Sequence, residues 1–291
     1  VSEVLLWQTG AGTVPSNRPG IETNINNYYE VYPTSGFLVD HPNARASYSL
    51  RQLQNLQQYA IEVERHSDNA TLDIGFVGVD LDEQAIIDFA QGGVVGVRTW
   101  YDQNHNSSRD LVQTNTANQP LIYSGSALYK VGGKCAIYYD TTTKQLSGVI
   151  GGTGNPVDIF NVHQRVSGSG YFLHWEGSGG FQVATMQTNY SLGWLGGTNG
   201  PAVDTDQHLF TVTANGTTGQ IRLDGAASTA GTLSASRTFN NKFAIQGRPN
   251  FPGSNPGPVI YQQEFIQYDF NHSAGDLSNI ETDIQTYYSI P

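Results

Sequence analysis

Apolar and polar residues alternate along most of the chain from about residue 120 onward, which is typical of half-buried β-strands. Gly, Asn and Asp residues separate the alternating runs and mark turns between them. The strands predicted from this pattern cover 134–139, 160–166, 170–175, 181–187, 207–214, 220–224, 243–246 and 259–268. Many short strands with turn signals between them favour a β-sandwich or a jelly roll.

The clearest hairpin joins 207–214 to 220–224. His208, Phe210 and Val212 share one face of its first strand, and Asn215-Gly216 starts the turn. At the end of the chain the period changes to that of a helix. We expect a helix after Ser278 that buries Ile280, Ile284 and Tyr287.

Between residues 44 and 119, apolar residues recur with the helical period in some segments and with the strand period of two in others. Tyr48, Leu50, Leu53 and Leu56 follow Asn43, a good helix cap, at roughly helical spacing, so the sequence predicts a helix over 44–53. Further predicted elements are strands at 59–64, 72–76 and 94–100 and a helix at 83–90 capped by Asp82. This part of the chain therefore reads as a helix/strand subdomain in front of the sandwich.

The beginning of the chain repeats its end. The segments 3–7 and 264–268 each precede a loop, and the sequences IETNINNYY at 21–29 and IETDIQTYY at 280–288 follow. The offsets are 261 residues (264 − 3) and 259 residues (280 − 21). A copy of a domain's last strand and helix cannot fold alone. We therefore expect this segment to belong to a preceding or partner module, through strand exchange or a tandem array.

This repeat sets the expected domain organisation. Residues 1–32 form the tail of a preceding or partner module, 33–43 a linker, and 44–291 one domain made of the subdomain 44–119 and the sandwich 120–291. The residues expected to make the assembly contacts are Glu3, Leu5, Trp7, Ile21, Ile25, Tyr28 and Tyr29.

Composition narrows the classes of partner. Charged residues make up 13% of the 291 positions and the net charge is −11, which argues against nucleic acid or an anionic membrane as a partner. The sequence contains no run of 18 apolar residues and therefore predicts no transmembrane helix. Cys135 is the only cysteine, so an intrachain disulfide and a cysteine-based zinc site are both excluded. We interpret Cys135 as a small buried apolar residue.

Several short runs together resemble a known pattern. They are 46–53 (ASYSLRQL), 61–65 (IEVER), 67–69 (SDN), 73–76 (DIGF) and 99–103 (TWYDQ). The pattern is similar to one shared by the catalytic domain of fungal α-L-arabinofuranosidase B and by many phage and giant-virus structural proteins. The resemblance covers roughly residues 44–290. It implies a mostly β fold, a concanavalin-A-like or laminin-G-like jelly-roll sandwich, with a short N-terminal helical subdomain and a C-terminal helix.

The chain departs from the enzyme in two respects. The enzyme has disulfides, which a single cysteine cannot form. It also has an aspartate that resembles a general acid after a Gly-Gly pair near the last strand, where this chain reads Gly247-Arg248-Pro249-Asn250, and no carboxylate lies between Asp224 and Glu264. A retaining glycosidase needs two carboxyl groups about 5 Å apart. The viral proteins are therefore the closer match in sequence.

Four residues are candidates for binding carbohydrate: His174, Trp175, Glu176 and Trp194. On a strand Phe172, His174 and Glu176 share a face, so Glu176 is either a sugar-binding or catalytic carboxylate beside aromatic rings or simply the end of a strand. Trp194, in a glycine-rich loop, is either a stacking platform for a sugar or a ring that packs over the sandwich edge.

Asp102, Asn104 and Asn106 place oxygen ligands at every second position, as the start of a calcium loop does. A complete EF-hand also needs glycine and glutamate where Ser107 and Gln113 stand. The alternatives are a Ca²⁺ site and a turn rich in Asx residues. Asp204, Asp206 and His208 form a second, weaker candidate for a metal site.

The first hypothesis for function is a non-enzymatic structural or adhesive module of a virion, such as a capsid decoration, fibre or tail protein. It would lie on the virion surface or outside the cell and contact copies of itself, other virion proteins or cell-surface glycans. The alternatives are a lectin-like carbohydrate-binding module and an arabinofuranosidase-like glycoside hydrolase. No cofactor other than calcium is expected.

Overall fold

A computed structural model describes residues 35–140, 143–152, 155–177, 180–193, 199–228, 230–232, 242–246 and 257–291. About 48% of the chain is β-strand, the strands pair antiparallel, and a helix closes the chain. The predicted mostly β class is confirmed. The segment 1–32, with its predicted strand, helix and assembly residues, lies outside the described residues.

The described strands, in chain order, are β1 (Ala46–Ser49), β2 (Ile61–Arg65), β3 (Ala70–Ile74), β4 (Phe76–Val77), β5 (Asp80–Leu81), β6 (Val94–Trp100), β7 (Leu111–Val112), β8 (Leu121–Ser124), β9 (Lys130–Val131), β10 (Lys134–Cys135), β11 (Ile137–Tyr139), β12 (Leu146–Val149), β13 (Val157–Ser167), β14 (Gly170–Gly177), β15 (Gly180–Met186), β16 (Asn189–Leu192), β17 (Asn199–Ala202), β18 (Gln207–Asn215), β19 (Thr218–Leu223), β20 (Ala226–Ala227), β21 (Gly231–Thr232), β22 (Lys242–Ile245) and β23 (Val259–Tyr268). The described helices are Phe37–Asp40, Glu83–Ala90 and Ala274–Tyr288, and single 3₁₀ turns cover Ser107–Arg109 and Thr116–Asn118.

Two layers of strands pack face to face. In one layer β23 pairs with β1, β11 and β13, and β13 continues through β18 to β19. In the other layer β7, β12, β22, β14, β15, β16 and β17 follow one another. Phe265 of the first layer contacts Phe243 and Trp175 of the second, with ring centroids 4.6 Å and 6.1 Å apart. These strands do not hydrogen-bond to one another, so the contact is that of a sandwich core.

The helix predicted over 44–53 is wrong, because the structure forms strand β1 there. Ala46–Ser49 pairs along its length with Glu264–Gln267 of β23, and all four residues are buried. Ala46 and Tyr48 enter the main apolar core. The pairing with β23 and the burial of all four residues outweigh the approximate helical spacing of the apolar residues.

The C-terminal helix is confirmed, although it begins earlier than expected. Ser273 caps it by accepting a hydrogen bond from the Asp276 backbone N–H. Ile280 and Ile284 are buried as predicted, in a second apolar cluster between the helix and the outer side of the β13–β23 layer. Tyr288 is the buried tyrosine, whereas Tyr287 is partly buried. The buried residue in the last turn of the helix is therefore Tyr288, one position later than the sequence predicts.

Most local predictions agree with the structure. The helix Glu83–Ala90 forms with Asp82 as its cap, and β6 and β23 have the predicted bounds. The hairpin β18–β19 turns between Asn215 and Thr218. The predicted linker contains a one-turn helix with buried Phe37 and Leu38. Within the described ranges no helix is long and apolar enough to cross a membrane.

Candidate functional site

Strand β14 divides its side chains between the core and the opposite face of the sheet. Leu173 and Trp175 point into the core, so His174 and Glu176 lie on the other face. Across that face His174 is opposite Ala244, and Ala244 is opposite Ser147. Directly opposed Cα atoms in such pairs lie about 4.5–5.5 Å apart. The small side chains of Ala244 and Ser147 thus lie beside His174 on this face.

Glu176 is half-buried at the end of β14. In β14 and the strands β7, β12, β22, β15 and β16 around it, the described positions that share its face include Val112, Ser147, Val149, Tyr171, His174, Thr185, Ser191, Lys242 and Ala244. Among these described positions, Glu176 is the one carboxylate. The arrangement places a single half-buried carboxylate two residues along the strand from a buried histidine on the same face.

The structure separates the predicted sugar-binding residues. Trp175 is 1% exposed, its Nε1 donates to the Gln267 side-chain oxygen at 3.2 Å, and its ring packs 4.9 Å from that of Phe243. Trp175 therefore belongs to the core, while His174, also 1% exposed, and Glu176 lie on the other face. Trp194 lies outside the described residues. The role of these residues in binding sugar stays a prediction.

Phe172 does not share the face of His174, contrary to the expectation. The pairing of β14 with β15 shifts between Tyr171 and Leu173, so a bulge turns Phe172 into the core. The ring of Tyr171, 6.3 Å from that of His174, takes its place on the outer face. A bulge of this kind leaves no signal in the alternation of apolar residues.

In the loop after β6, the side chains of the three predicted calcium ligands form hydrogen bonds with different protein groups. The Oδ1 atom of Asp102 accepts from the backbone N–H groups of Ser47 at 2.8 Å and Asn104 at 3.1 Å. The Asn104 side chain donates to the Ala44 carbonyl, and Asn106 accepts from Ser108 at 2.6 Å. Within the described ranges no group of three or more His, Cys, Asp or Glu residues is arranged to hold a metal. The geometry is that of an Asx-rich turn that ties β6 to β1.

Asp102 also lines an open cleft of about 280 Å³ together with Tyr59, Tyr101 and Asp110. Its Oδ2 atom is buried and accepts no hydrogen bond from the described residues. Burial raises the pKa of Asp102 to about 6, against the hydrogen bonds from Ser47 and Asn104 that lower it. The cleft could not be predicted from the sequence, because the pairing of β2 with β6 brings Tyr59 to Asp102 from more than 40 residues away.

His208 is held between two carboxylates. Its Nδ1 lies 2.6 Å from Asp224 and its Nε2 2.8 Å from Asp204, whereas Asp206 contributes its backbone N–H, which donates to Asp204 at 2.8 Å. Burial opposes a charge on this ring, but the hydrogen bonds and charges of Asp224 and Asp204 outweigh it and raise the pKa of His208 to about 9. This ion-pair cluster joins the start of β18 to the end of β19.

We expect this cluster to stabilise the domain up to mildly alkaline pH. The folded pKa lies above the unfolded value of about 6.5. The stabilisation is therefore fully present below pH 6.5 and is lost as the pH rises through about 9. Urea unfolding between pH 6 and pH 10 should show a fall of about 1–2 kcal/mol after allowance for solvent screening. The His208→Gln variant should lack this step, and an equal fall in the variant would contradict the assignment.

Comparison with known proteins gives matches in structure alone. No protein-family model matches the chain, and no curated protein matches its sequence. A GH54 α-L-arabinofuranosidase soaked with a cyclic sulfate inhibitor is similar, with a TM-score of 0.68 and 14% identity over 85% of this chain and 63% of that chain. A mutant GH54 α-L-arabinofuranosidase soaked with 4-nitrophenyl α-L-arabinofuranoside gives the same values.

An arabinofuranosidase complexed with arabinofuranosyl-α-1,2-xylobiose also matches, with a TM-score of 0.58 and 13% identity over 83% of this chain and 62% of that chain. The chain thus spans less than two thirds of the length of these structures. At such low identity the likeness shows a shared fold, and it confirms the arabinofuranosidase resemblance at that level.

The first hypothesis, a non-enzymatic structural or adhesive module of a virion, is wrong. The structural matches are to glycoside hydrolases, and they favour the hydrolase alternative. This hypothesis rested on a sequence pattern shared by enzymes and viral proteins, on one missing carboxylate and on the repeat of the chain's end at its beginning. A pattern that encodes the common fold cannot distinguish between the two groups.

Proposed function

We propose that this chain is a glycoside hydrolase domain that acts on α-L-arabinofuranosides. The observation that carries the proposal is the fold shared with arabinofuranosidases over 85% of the chain at a TM-score of 0.68. The strand face around Glu176 supports it, because it carries a half-buried carboxylate and a histidine on the same side of β14. The proposed substrate is an arabinofuranosyl group attached to another sugar.

Glu176 is the residue proposed to carry the chemistry. Cleavage of a glycosidic bond with retained configuration uses one carboxylate as the nucleophile and one carboxylic acid as the proton donor. Glu176 is rigidly placed, since β14 is held between β15 and β22. We assign it the role of the nucleophile that attacks the anomeric carbon while the bond to the aglycone oxygen breaks, and the test substrate's 4-nitrophenolate leaves without needing a proton.

A second candidate function is glycan binding without hydrolysis. One observation favours it: Glu176 is the one carboxylate among the described positions that β14 and the strands β7, β12, β22, β15 and β16 place on its face. A face of this kind could hold a sugar through hydrogen bonds to Glu176 and Lys242 and yet lack the second carboxyl group that hydrolysis requires.

Release of 4-nitrophenol from 4-nitrophenyl α-L-arabinofuranoside distinguishes the two functions. We expect steady turnover by the full chain and much slower turnover of the matching β-D-xylopyranoside. Binding of an arabino-oligosaccharide by calorimetry without turnover would favour the second function. If neither turnover nor binding is seen, both proposals fail.

A further inference from the structure

Two arginines line an open pocket beside the Glu176 face. The pocket has a volume of about 480 Å³, and Arg45, Arg109, Asn106, Ser108 and the backbone around Gly151 surround it. The chain carries a net charge of −11, so a pair of guanidinium groups in one pocket is an unusual local concentration of positive charge.

Hydrogen bonds to the backbone fix both arginines. Arg45 donates from Nε to the Ile150 carbonyl at 2.9 Å. Arg109 donates from Nη1 to the backbone carbonyl of Arg45, which ties the loop before β7 to the segment before β1. Since each side chain is anchored by one N–H group, little conformational entropy remains to be lost when a ligand binds.

Most N–H groups of these arginines donate no hydrogen bond to any described residue. In the part of the chain that the structure describes, neither Nη1 nor Nη2 of Arg45 donates a hydrogen bond, and neither Nε nor Nη2 of Arg109 does. The closest opposite charge to Arg45 is Asp269, whose Oδ2 lies 3.6 Å from Nε. Asp102 interacts with Arg109 through its charge, but its hydrogen bonds go to Ser47 and Asn104.

A planar guanidinium group with two free N–H donors matches the geometry of an oxyanion. We propose that this pocket binds an oxyanion, namely a carboxylate, sulfate or phosphate group, through Arg45 and Arg109. Asn106 and Ser108, at the rim, add polar groups that can contact the same ligand.

The pocket adjoins the proposed substrate face. Val149 lines the pocket and lies opposite Lys242 on β22, which is the strand next to β14. Strands are spaced about 4.8 Å apart, so Val149 lies roughly 10 Å from β14, about the length of a disaccharide. An acidic substituent on a glycan bound at Glu176 could therefore reach the arginines. This last step rests on the proposed function, whereas oxyanion binding does not.

Calorimetric titration of the full chain with sodium sulfate, sodium phosphate and D-glucuronate tests the proposal. We expect binding of at least one of them, and the Arg45→Gln and Arg109→Gln variants should bind it roughly tenfold more weakly or worse. Arg98→Gln is the matched control, because the Arg98 side chain is 35% exposed, as is that of Arg45, and pairs with Glu62 outside the pocket. Glu176→Gln should bind the oxyanions normally, which separates this proposal from that on hydrolysis.

A second variant tests the pocket while both arginines stay in place, because replacing Arg109 also removes its hydrogen bond to the backbone. Ser108→Asp adds a negative charge at an exposed position on the rim and should weaken binding to a similar extent, with the thermal unfolding midpoint unchanged. Tighter binding of glucuronate than of the inorganic ions indicates an acidic sugar, and the reverse order indicates a free ion. The proposal is overturned if the full chain binds none of the three below roughly 10 mM, or if Arg98→Gln weakens binding as much as Arg45→Gln.

Discussion

Replacing Arg51 by methionine should destabilise the domain by about 3–5 kcal/mol, the cost of leaving one charge of a buried ion pair without its partner. Glu264 is fully buried, and Arg51 donates to its two oxygens from Nε at 2.8 Å and from Nη2 at 2.9 Å. The Ser49 hydroxyl donates to the same carboxylate at 2.6 Å and the Tyr288 hydroxyl at 3.2 Å. These bonds join β1, β23 and the C-terminal helix.

The guanidinium group of Arg51 also packs between aromatic rings. Its central carbon lies 4.8 Å from the ring centroid of Phe37 and 4.8 Å from that of Tyr287. The methionine variant keeps part of this apolar contact, because its side chain is long and flexible. The expected loss therefore comes mainly from the unpaired Glu264 carboxylate.

Guanidinium chloride unfolding of the single and double variants measures this effect. Arg51→Met combined with Glu264→Leu should recover a large part of the lost free energy, since no buried charge remains. The control Arg98→Met removes an ion pair in which the arginine side chain is 35% exposed, and its unfolding midpoint should hardly move. A double variant that loses the sum of the two single losses would contradict the argument.

The sequence predicts those elements whose local pattern agrees with their place in the fold. Strand β23 and the helix Glu83–Ala90 were found because alternation and a capping aspartate are local signals. Strand β1 was mistaken for a helix because its partner, β23, follows more than 200 residues later. For the same reason the pairing of Arg51 with Glu264 could not be read from the chain.

The repeat of the chain's end at its beginning marks residues that the structure shows to be buried. The positions identical in the two segments include Glu264, Ile280, Glu281, Ile284 and Tyr288, and all five are at most 2% exposed. Glu281 receives two hydrogen bonds of 2.8 Å from Arg222, as Glu264 does from Arg51. The first segment thus keeps the residues that fasten the last strand and helix to the domain. Its packing against a partner module stays a prediction.

Strand alternation predicts which residues of one strand share a face of the candidate site, but not which other strands contribute to that face. Alternation placed His174 and Glu176 on one face, and the structure has them there. It could not place Lys242 or Val149 on that face, because the order of β12, β22 and β14 in the sheet differs from their order in the chain. The arginine pocket was missed for a similar reason, since Arg45 and Arg109 belong to loops 64 residues apart.

Replacing Glu176 by glutamine should lower turnover of 4-nitrophenyl α-L-arabinofuranoside by roughly 10³-fold or more, equivalent to about 4 kcal/mol of transition-state stabilisation. An amide keeps the size of the side chain but cannot attack the anomeric carbon as a carboxylate does. The matched control is Glu62→Gln, another half-buried glutamate on a strand, which hydrogen-bonds to Thr99 at 2.9 Å. That variant should keep full activity.

Rescue by a small nucleophile separates catalysis from folding at this position. In the Glu176→Ala variant azide can enter the space left by the carboxylate and attack the anomeric carbon, so added sodium azide should restore release of 4-nitrophenol. The expected product is an arabinofuranosyl azide with inverted configuration, because a single displacement replaces the double displacement of the retaining mechanism. A folded Glu176→Ala variant with full activity would show that Glu176 is not the nucleophile. Loss of activity without rescue, together with normal sugar binding, would assign it to positioning the substrate.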